Sequence, residues 1–269
     1  GKAYLCHNTY HDLKVEQPEQ VIKNLAILVE RGQLNDLEQV LLEQGVGQVM
    51  HDEIFDLLAV HYMQIGNFEA ALDAYQKIPR THWDQFGVFD PFRATITDCL
   101  SCPHSKDTID LFNRGEFIEE ILDLQFKAKA EEDHAGYYLK IGVGLYNSSY
   151  YGHSWQMMDY YRSVTDWAGK SPDPNNKEFK DLSLAAYYFD MARKTAIDPE
   201  QAAKACYMAA KCTLIDYYHS LSYQAPECCN NIPYIPEAYA KYYDLMLDLY
   251  GKTTFYEKII TECQFFRAY

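Results

Sequence analysis

The sequence has no long apolar run and no concentration of positive charge. No uninterrupted apolar stretch approaches the roughly 18 to 20 residues that a membrane-spanning helix needs, so we expect the chain as given not to cross a bilayer. Acidic residues outnumber basic ones by 39 to 24, which gives a formal net charge of −15, and no cluster of lysines or arginines interrupts that excess. Such a field repels nucleic-acid phosphates. We therefore expect no nucleic-acid partner and favour a basic or neutral one.

The short motifs of common catalytic sites are also missing. The sequence contains no His-Glu-x-x-His, no Gly-x-Ser-x-Gly and no glycine loop of the kind that cradles phosphate. Gly142 and Gly144 flank Val143 within an apolar stretch, where a close-packing point between helices is a better interpretation than a nucleotide loop. We predict no catalytic residue and no cofactor. Whether the protein is an enzyme stays open, with the balance against it.

One cluster of possible metal ligands stands out. Cys99 and Cys102 are spaced so that two thiolates could share one zinc ion, and His104 could add a third ligand. A structural zinc site needs four ligands, however, and no second pair with suitable spacing lies nearby. The simpler interpretation is two cysteines at a helix end, either free or disulfide-bonded. We therefore predict no metal site, with these three residues as the weak candidates.

Helical periodicity is what the sequence does contain, whereas the period-two pattern of strands is hard to find anywhere. The clearest case is residues 55–78, where two apolar stripes flank a turn at Gly66 and Asn67. Small residues at Ala59 and Ala71 let the two helices approach closely, and large residues fill the groove around that contact. The large positions of the two stripes are Phe55, Leu58, Tyr62, Phe68, Leu72, Tyr75 and Ile78.

This order of bulky, small and aromatic positions resembles the tetratricopeptide repeat. Further helices are predicted over residues 18–31, 34–44, 116–129, 137–150, 155–167, 184–196, 199–218, 237–250 and 254–267, with loops at 169–176 and 225–236. A period of about 34 residues holds only locally. The resemblance therefore implies an all-α fold in which antiparallel helix hairpins stack as a degenerate, tetratricopeptide-like, right-handed superhelix. We predict a single domain over residues 1–269.

Three runs in the second half of the chain resemble another group of proteins. They are residues 146–152 (YNSSYYG), 206–212 (CYMAAKC) and 255–263 (FYEKIITEC), and they are similar to runs in large, uncharacterised, signal-peptide-bearing proteins of Bacteroidota. The resemblance implies an extracytoplasmic location, in the periplasm or at the cell surface, and a fragment of a longer protein. The start at Gly1 rather than Met agrees with a processed or trimmed product. Without the resemblance, a cytoplasmic location would be expected. No activity is assigned to that group, so no functional residue carries over.

Tyrosine is the compositional excess, with 24 residues that recur as doublets. Neighbours on a helix point about 100° apart, so one tyrosine of a doublet can enter a helix–helix groove while the other lies at its rim. The functional alternative is an aromatic surface that binds a peptide or a sugar. The densest patch comprises Tyr150, Tyr151, Trp155, Tyr160 and Tyr161.

The preferred prediction is a non-catalytic helical-repeat scaffold, with membership of a larger complex as a further possibility. It would bind a protein or peptide partner through a concave, tyrosine-rich, acidic surface. A glycan-binding module at the cell surface is the first alternative, because nutrient-uptake lipoproteins of Bacteroidota also use tetratricopeptide-like scaffolds. The second is an accessory domain of an enzyme whose catalytic part lies elsewhere.

Overall fold

The computed structural model describes residues 13–14, 19–44, 51–93, 110–130, 133–162, 179–220 and 235–262. Over these ranges the chain is all-α, as predicted, and its extended backbone pairs only at one bridge between Phe89 and Phe112. Within the same ranges, no helix is both long and apolar enough to cross a membrane. The α-helices are α1 Glu19–Arg31, α2 Asp36–Gln44, α3 His51–Gln64, α4 Phe68–Tyr75, α5 Arg114–Ala130, α6 His134–Ser148, α7 Ser183–Thr195, α8 Pro199–His219, α9 Glu237–Tyr250 and α10 Thr254–Glu262, with 3-10 turns at Arg80–Phe86 and Trp155–Met157.

The helices pack largely in the order of the chain. From α3 to α9, each helix packs against the next one, while α1 packs on α3 and α10 packs on α8. Proteins built from helix hairpins bury their apolar faces in this nearest-neighbour way. The buried side chains form one cluster that extends from Ile22 in α1 to Ile259 in α10.

The hairpin of α3 and α4 confirms the clearest sequence prediction. Gly66 lies in the turn at φ +74°, a conformation that glycine adopts without strain. Asn67 then caps α4, because its side-chain oxygen accepts a 3.1 Å hydrogen bond from the Ala70 N–H. Ala59 and Ala71 are both fully buried, so the small residues do lie inside the pair.

Gly142 and Gly144 of α6 are close-packing points, as the sequence indicated. A Cβ on Gly142 would lie 2.7 Å from the Phe189 ring of α7, and one on Gly144 would lie 2.6 Å from the Phe92 ring. Since real Cβ atoms do not come this close to another heavy atom, only glycine lets these rings contact the α6 backbone.

The predicted helix over residues 155–167 is wrong for the part that the structure describes. Trp155 begins a single 3-10 turn, and the chain leaves helical geometry before Asp159. The buried Asp159 carboxylate accepts hydrogen bonds from the backbone N–H groups of Tyr160 at 2.7 Å and Phe179 at 3.0 Å. A short acidic side chain that accepts hydrogen bonds from nearby backbone N–H groups competes with helix formation. Residues 163–167, the predicted loop at 169–176 and most of that at 225–236 lie outside the described ranges.

Helix α2 leaves large apolar side chains exposed. Leu37 and Val40, which share one face of the helix, are 68% and 45% exposed. Hydrogen bonds at its N-terminus stabilise the helix. The side chains of Asn35 and Glu38 each accept a 2.9 Å hydrogen bond from the other residue's backbone N–H. This reciprocal capping box stabilises a helix locally, without burial of its apolar face.

Candidate functional site

The weak metal candidates Cys99, Cys102 and His104 lie outside the described residues. Among the residues that the structure does describe, no three or more His, Cys, Asp or Glu side chains are grouped so that they could hold a metal ion.

The predicted tyrosine patch divides into parts with different neighbours. Tyr150 and Tyr151 pack edge to face with ring centroids 5.2 Å apart, and the Tyr151 hydroxyl hydrogen-bonds with His219 Nε2 at the end of α8. Lys180 Nζ lies 4.6 Å from the Tyr150 ring centroid. Each of these side chains is therefore part of a polar and aromatic cluster beside α8.

Tyr160, another member of the patch, contacts a different set of residues. The Tyr160 hydroxyl donates a 2.6 Å hydrogen bond to Asp56 Oδ2 in α3, and the Arg114 guanidinium lies 4.7 Å from the Tyr160 ring centroid. Tyr161 is 52% exposed, and Trp155 is partly exposed at the start of its 3-10 turn. Tyr160 thus leads to a second site, which sequence analysis did not single out.

A fully buried ion pair forms the base of this site. Arg114 Nη1 donates to both oxygens of Asp56, at 2.8 and 2.6 Å. Arg114 Nε and Nη2 donate to the carbonyl oxygens of Met157 at 3.1 Å and Gln156 at 2.6 Å. Burial alone would lower the pKa of Arg114, but the Asp56 carboxylate, together with Tyr160 and Tyr75, outweighs burial and raises it, so the guanidinium stays charged. The pair ties α3, α5 and the second 3-10 turn together.

A cleft of about 350 Å³ opens beside the ion pair. It is formed by segments far apart in the sequence: the start of α3, the first 3-10 turn, the start of α5 and the chain after the second 3-10 turn. Its walls combine aromatic rings with carboxylates and two cations. The rings are Phe86, Phe89 and Tyr160, the carboxylates are Asp52, Glu53 and Asp159, and the cations are Lys14 and Arg114.

Among the residues that the structure describes, the charge balance of the cleft is negative. Together with Asp56, which lies behind the wall, the lining residues comprise four carboxylates and two cations. Burial would raise the pKa of Asp52, but hydrogen bonds from His82 and His51 outweigh burial and lower it. His82 Nδ1 lies 2.7 Å from Asp52 Oδ2, and His51 Nδ1 lies 3.1 Å from Asp52 Oδ1. Asp52 is therefore ionised at neutral pH, and the cleft attracts positive charge.

Lys14 already places one cation in this setting. Its Nζ lies 5.3 Å from the Tyr160 ring centroid, within the range of a cation–π interaction. Burial lowers the pKa of Lys14, and the nearby Glu53 and Asp56 carboxylates oppose that shift. An ammonium group in the cleft thus meets a ring and carboxylates together.

Neither a protein-family model, nor a curated protein, nor a solved structure matches the chain.

Two cysteines of α8 give a first testable expectation. Cys206 and Cys212 are free and fully buried, and burial raises the pKa of Cys206 to about 12 and that of Cys212 above its ordinary value. The thiolate is the reactive form. We expect neither cysteine to react with iodoacetamide in the native protein, whereas both react in denaturant, as measured by peptide mass spectrometry. Alkylation of either one under native conditions would contradict the packing of α8.

Proposed function

We propose that the protein is a helical scaffold that binds a protein or peptide partner by taking a basic side chain of that partner into the acidic cleft. The observation that carries the proposal is the combination of excess carboxylates and aromatic rings around the buried Asp56–Arg114 pair. The Lys14 ammonium beside the Tyr160 ring illustrates the contacts that such a guest would make.

The chemistry of the cleft suits arginine or lysine. These side chains have an apolar stem and a charged head, so the stem can contact Phe86 and Phe89 while the head meets Glu53. A volume of about 350 Å³ is at the small end of ligand pockets, which fits one side chain rather than a large ligand. Because the hydrogen bonds of Arg114 fix the base of the cleft, little ordering of that wall is needed on binding. The net charge of −15 favours a basic partner more generally.

The test compares two short peptides that differ only in charge, acetyl-Gly-Ser-Arg-Ser-Gly-amide and its citrulline counterpart. Binding is followed by two-dimensional NMR of the whole chain. We expect the arginine peptide to bind about tenfold more tightly than the neutral one, since the guanidinium gains a charged partner in Glu53. Glu53→Gln is expected to remove most of that preference. Glu237→Gln is the control, because it changes the net charge equally at an exposed position at the start of α9.

Equal binding of the two peptides would overturn the proposal, and so would equal behaviour of Glu53→Gln and Glu237→Gln. Absence of peptide binding together with binding of a neutral oligosaccharide would replace the proposal with the glycan-binding alternative.

A further inference from the structure

A second concave feature lies between α1 and α4, where both helices pack on α3 and leave a groove of about 450 Å³. The positions that line it recur on each helix at the spacing of a single helical face. Ala26 and Ile27 line it from α1, Phe55 and Leu58 from α3, and Ala70 and Ala74 from α4.

The groove has an apolar floor and low walls. Phe55 and Leu58 are 3% and 8% exposed and form the floor, while the alanines of α1 and α4 keep the walls short. Ile27 lies at the edge of the groove and is 64% exposed, so a partner that covers it removes apolar surface from water. An apolar trough between two helices is the shape that accepts the apolar stripe of a third helix.

Charged side chains from α1 and from around the end of α4 form the rim of the groove. Glu30 and Lys77 form a 2.5 Å ion pair that bridges the two walls. Lys23, two turns before Glu30 on α1, is paired with Glu19 at 2.5 Å. Asp73 lies on the α4 rim and makes no ion pair within the part of the chain that the structure describes. The uncompensated charge on the rim is therefore negative.

We propose that this groove binds an amphipathic α-helix of a partner protein. Apolar residues of that helix at i, i+3 or i+4, and i+7 pack on Phe55 and Leu58 and beneath Ile27, and a flanking basic residue pairs with Asp73. A second copy of this chain is a poorer occupant, because two chains of net charge −15 repel each other. The groove shares no lining residue with the acidic cleft, so this inference does not depend on the function proposed above.

The experiment uses the full chain and a panel of labelled amphipathic peptides of roughly 16 residues, with the apolar stripe built from alanine, valine, leucine or phenylalanine and flanked by lysine. Fluorescence anisotropy gives the affinities. We expect the best peptide to bind at least tenfold more weakly to Ile27→Glu than to the wild type, because a carboxylate then stands at the apolar lip. Ile197→Glu is the matched control, since Ile197 is 97% exposed and lies outside the groove. Both positions are exposed enough for the variants to fold, which circular dichroism verifies.

A charge swap adds a second readout. Asp73→Lys is expected to weaken binding of the lysine-flanked peptide about fivefold and to strengthen binding of a glutamate-flanked version by a similar factor. Asp248→Lys on α9 makes the same change at an exposed position away from the groove and should alter neither affinity in that way.

Three results would overturn the proposal. They are failure of every peptide in the panel to bind, equal binding by Ile27→Glu and Ile197→Glu, and a wild-type dimer in light scattering that Ile27→Glu converts to a monomer. The last result would identify a second copy as the occupant.

Discussion

Replacing Arg114 with methionine is expected to lower the free energy of unfolding by about 3 to 5 kcal/mol. The variant leaves the Asp56 carboxylate fully buried without its cation, and it removes the donors to the Gln156 and Met157 carbonyl oxygens. Dispersion contacts of the methionine stem replace only a small part of that loss. Urea denaturation of the variant and the wild type at neutral pH measures the difference.

A matched control separates the buried pair from an ordinary one. Arg80 and Glu119 form a two-point ion pair at 3.0 and 2.9 Å, but Arg80 is well exposed, so Arg80→Met should cost less than about 1 kcal/mol. The double variant Asp56→Leu/Arg114→Met should recover most of the stability, since neither buried charge is then left alone. Equal costs for Arg114→Met and Arg80→Met would show that the base of the cleft does not depend on the ion pair.

The helix pairs could be predicted because their determinants are local. In α3 and α4, small residues, large residues and the turn at Gly66 follow one another within a single hairpin, so the spacing alone carries the information. The same local rule holds for the tyrosine doublet of α7, where Tyr187 is 56% exposed and Tyr188 is 9% exposed, as the 100° rotation between neighbours on a helix favours. It does not hold for Tyr137 and Tyr138 of α6, which are both partly buried.

The acidic cleft could not be predicted because its parts are distant in sequence. Lys14, Glu53, Phe86, Arg114 and Tyr160 come from separate segments, and no periodicity relates them. One local signal did exist. Asp56 lies in a helix of otherwise apolar buried residues, where an ionised carboxylate needs a cation to pair with. That signal predicts a buried cation beside Asp56 but does not identify it, since any arginine or lysine of the chain could pair with the carboxylate.

The error over residues 155–167 has a related cause. The sequence predicted a helix here, but the turn that precedes residue 155 is fixed by backbone hydrogen bonds rather than by side-chain pattern. The Ser154 N–H donates to the Asn147 carbonyl oxygen at 2.9 Å, and the Gly152 N–H donates to the Ser149 carbonyl oxygen at 3.0 Å. These bonds fold the chain back against the end of α6 before a new helix could begin.

Gly152→Ala is the second substitution with a large expected effect, a loss of about 3 to 5 kcal/mol in the free energy of unfolding. A Cβ at this position would lie 2.0 Å from the Asn147 carbonyl oxygen and 2.2 Å from its carbonyl carbon. Asn147 cannot easily move away, because its side-chain amide donates to the carbonyl oxygens of Pro91 at 2.8 Å and Arg93 at 2.9 Å. The turn itself would have to shift, and thermal or urea unfolding measures the cost.

Gly142→Ala is the matched comparison, and the contrast between the two variants depends on what each new methyl meets. At Gly142 the obstacle is the buried Phe189 ring, 2.7 Å away, which must shift within the core without a change in the backbone, and alanine also gains up to about 1 kcal/mol of helix propensity, so we expect a net cost of roughly 1 to 2 kcal/mol. At Gly152 the obstacle is backbone, and the same turn leads directly to the Gln156 and Met157 carbonyls that hold Arg114. Gly152→Ala and Arg114→Met should therefore be less than additive when combined, because the first already displaces the carbonyl acceptors whose donors the second removes. Full additivity, or a Gly152→Ala cost no greater than that of Gly142→Ala, would mean that the turn adapts without disturbing the ion pair beneath the cleft.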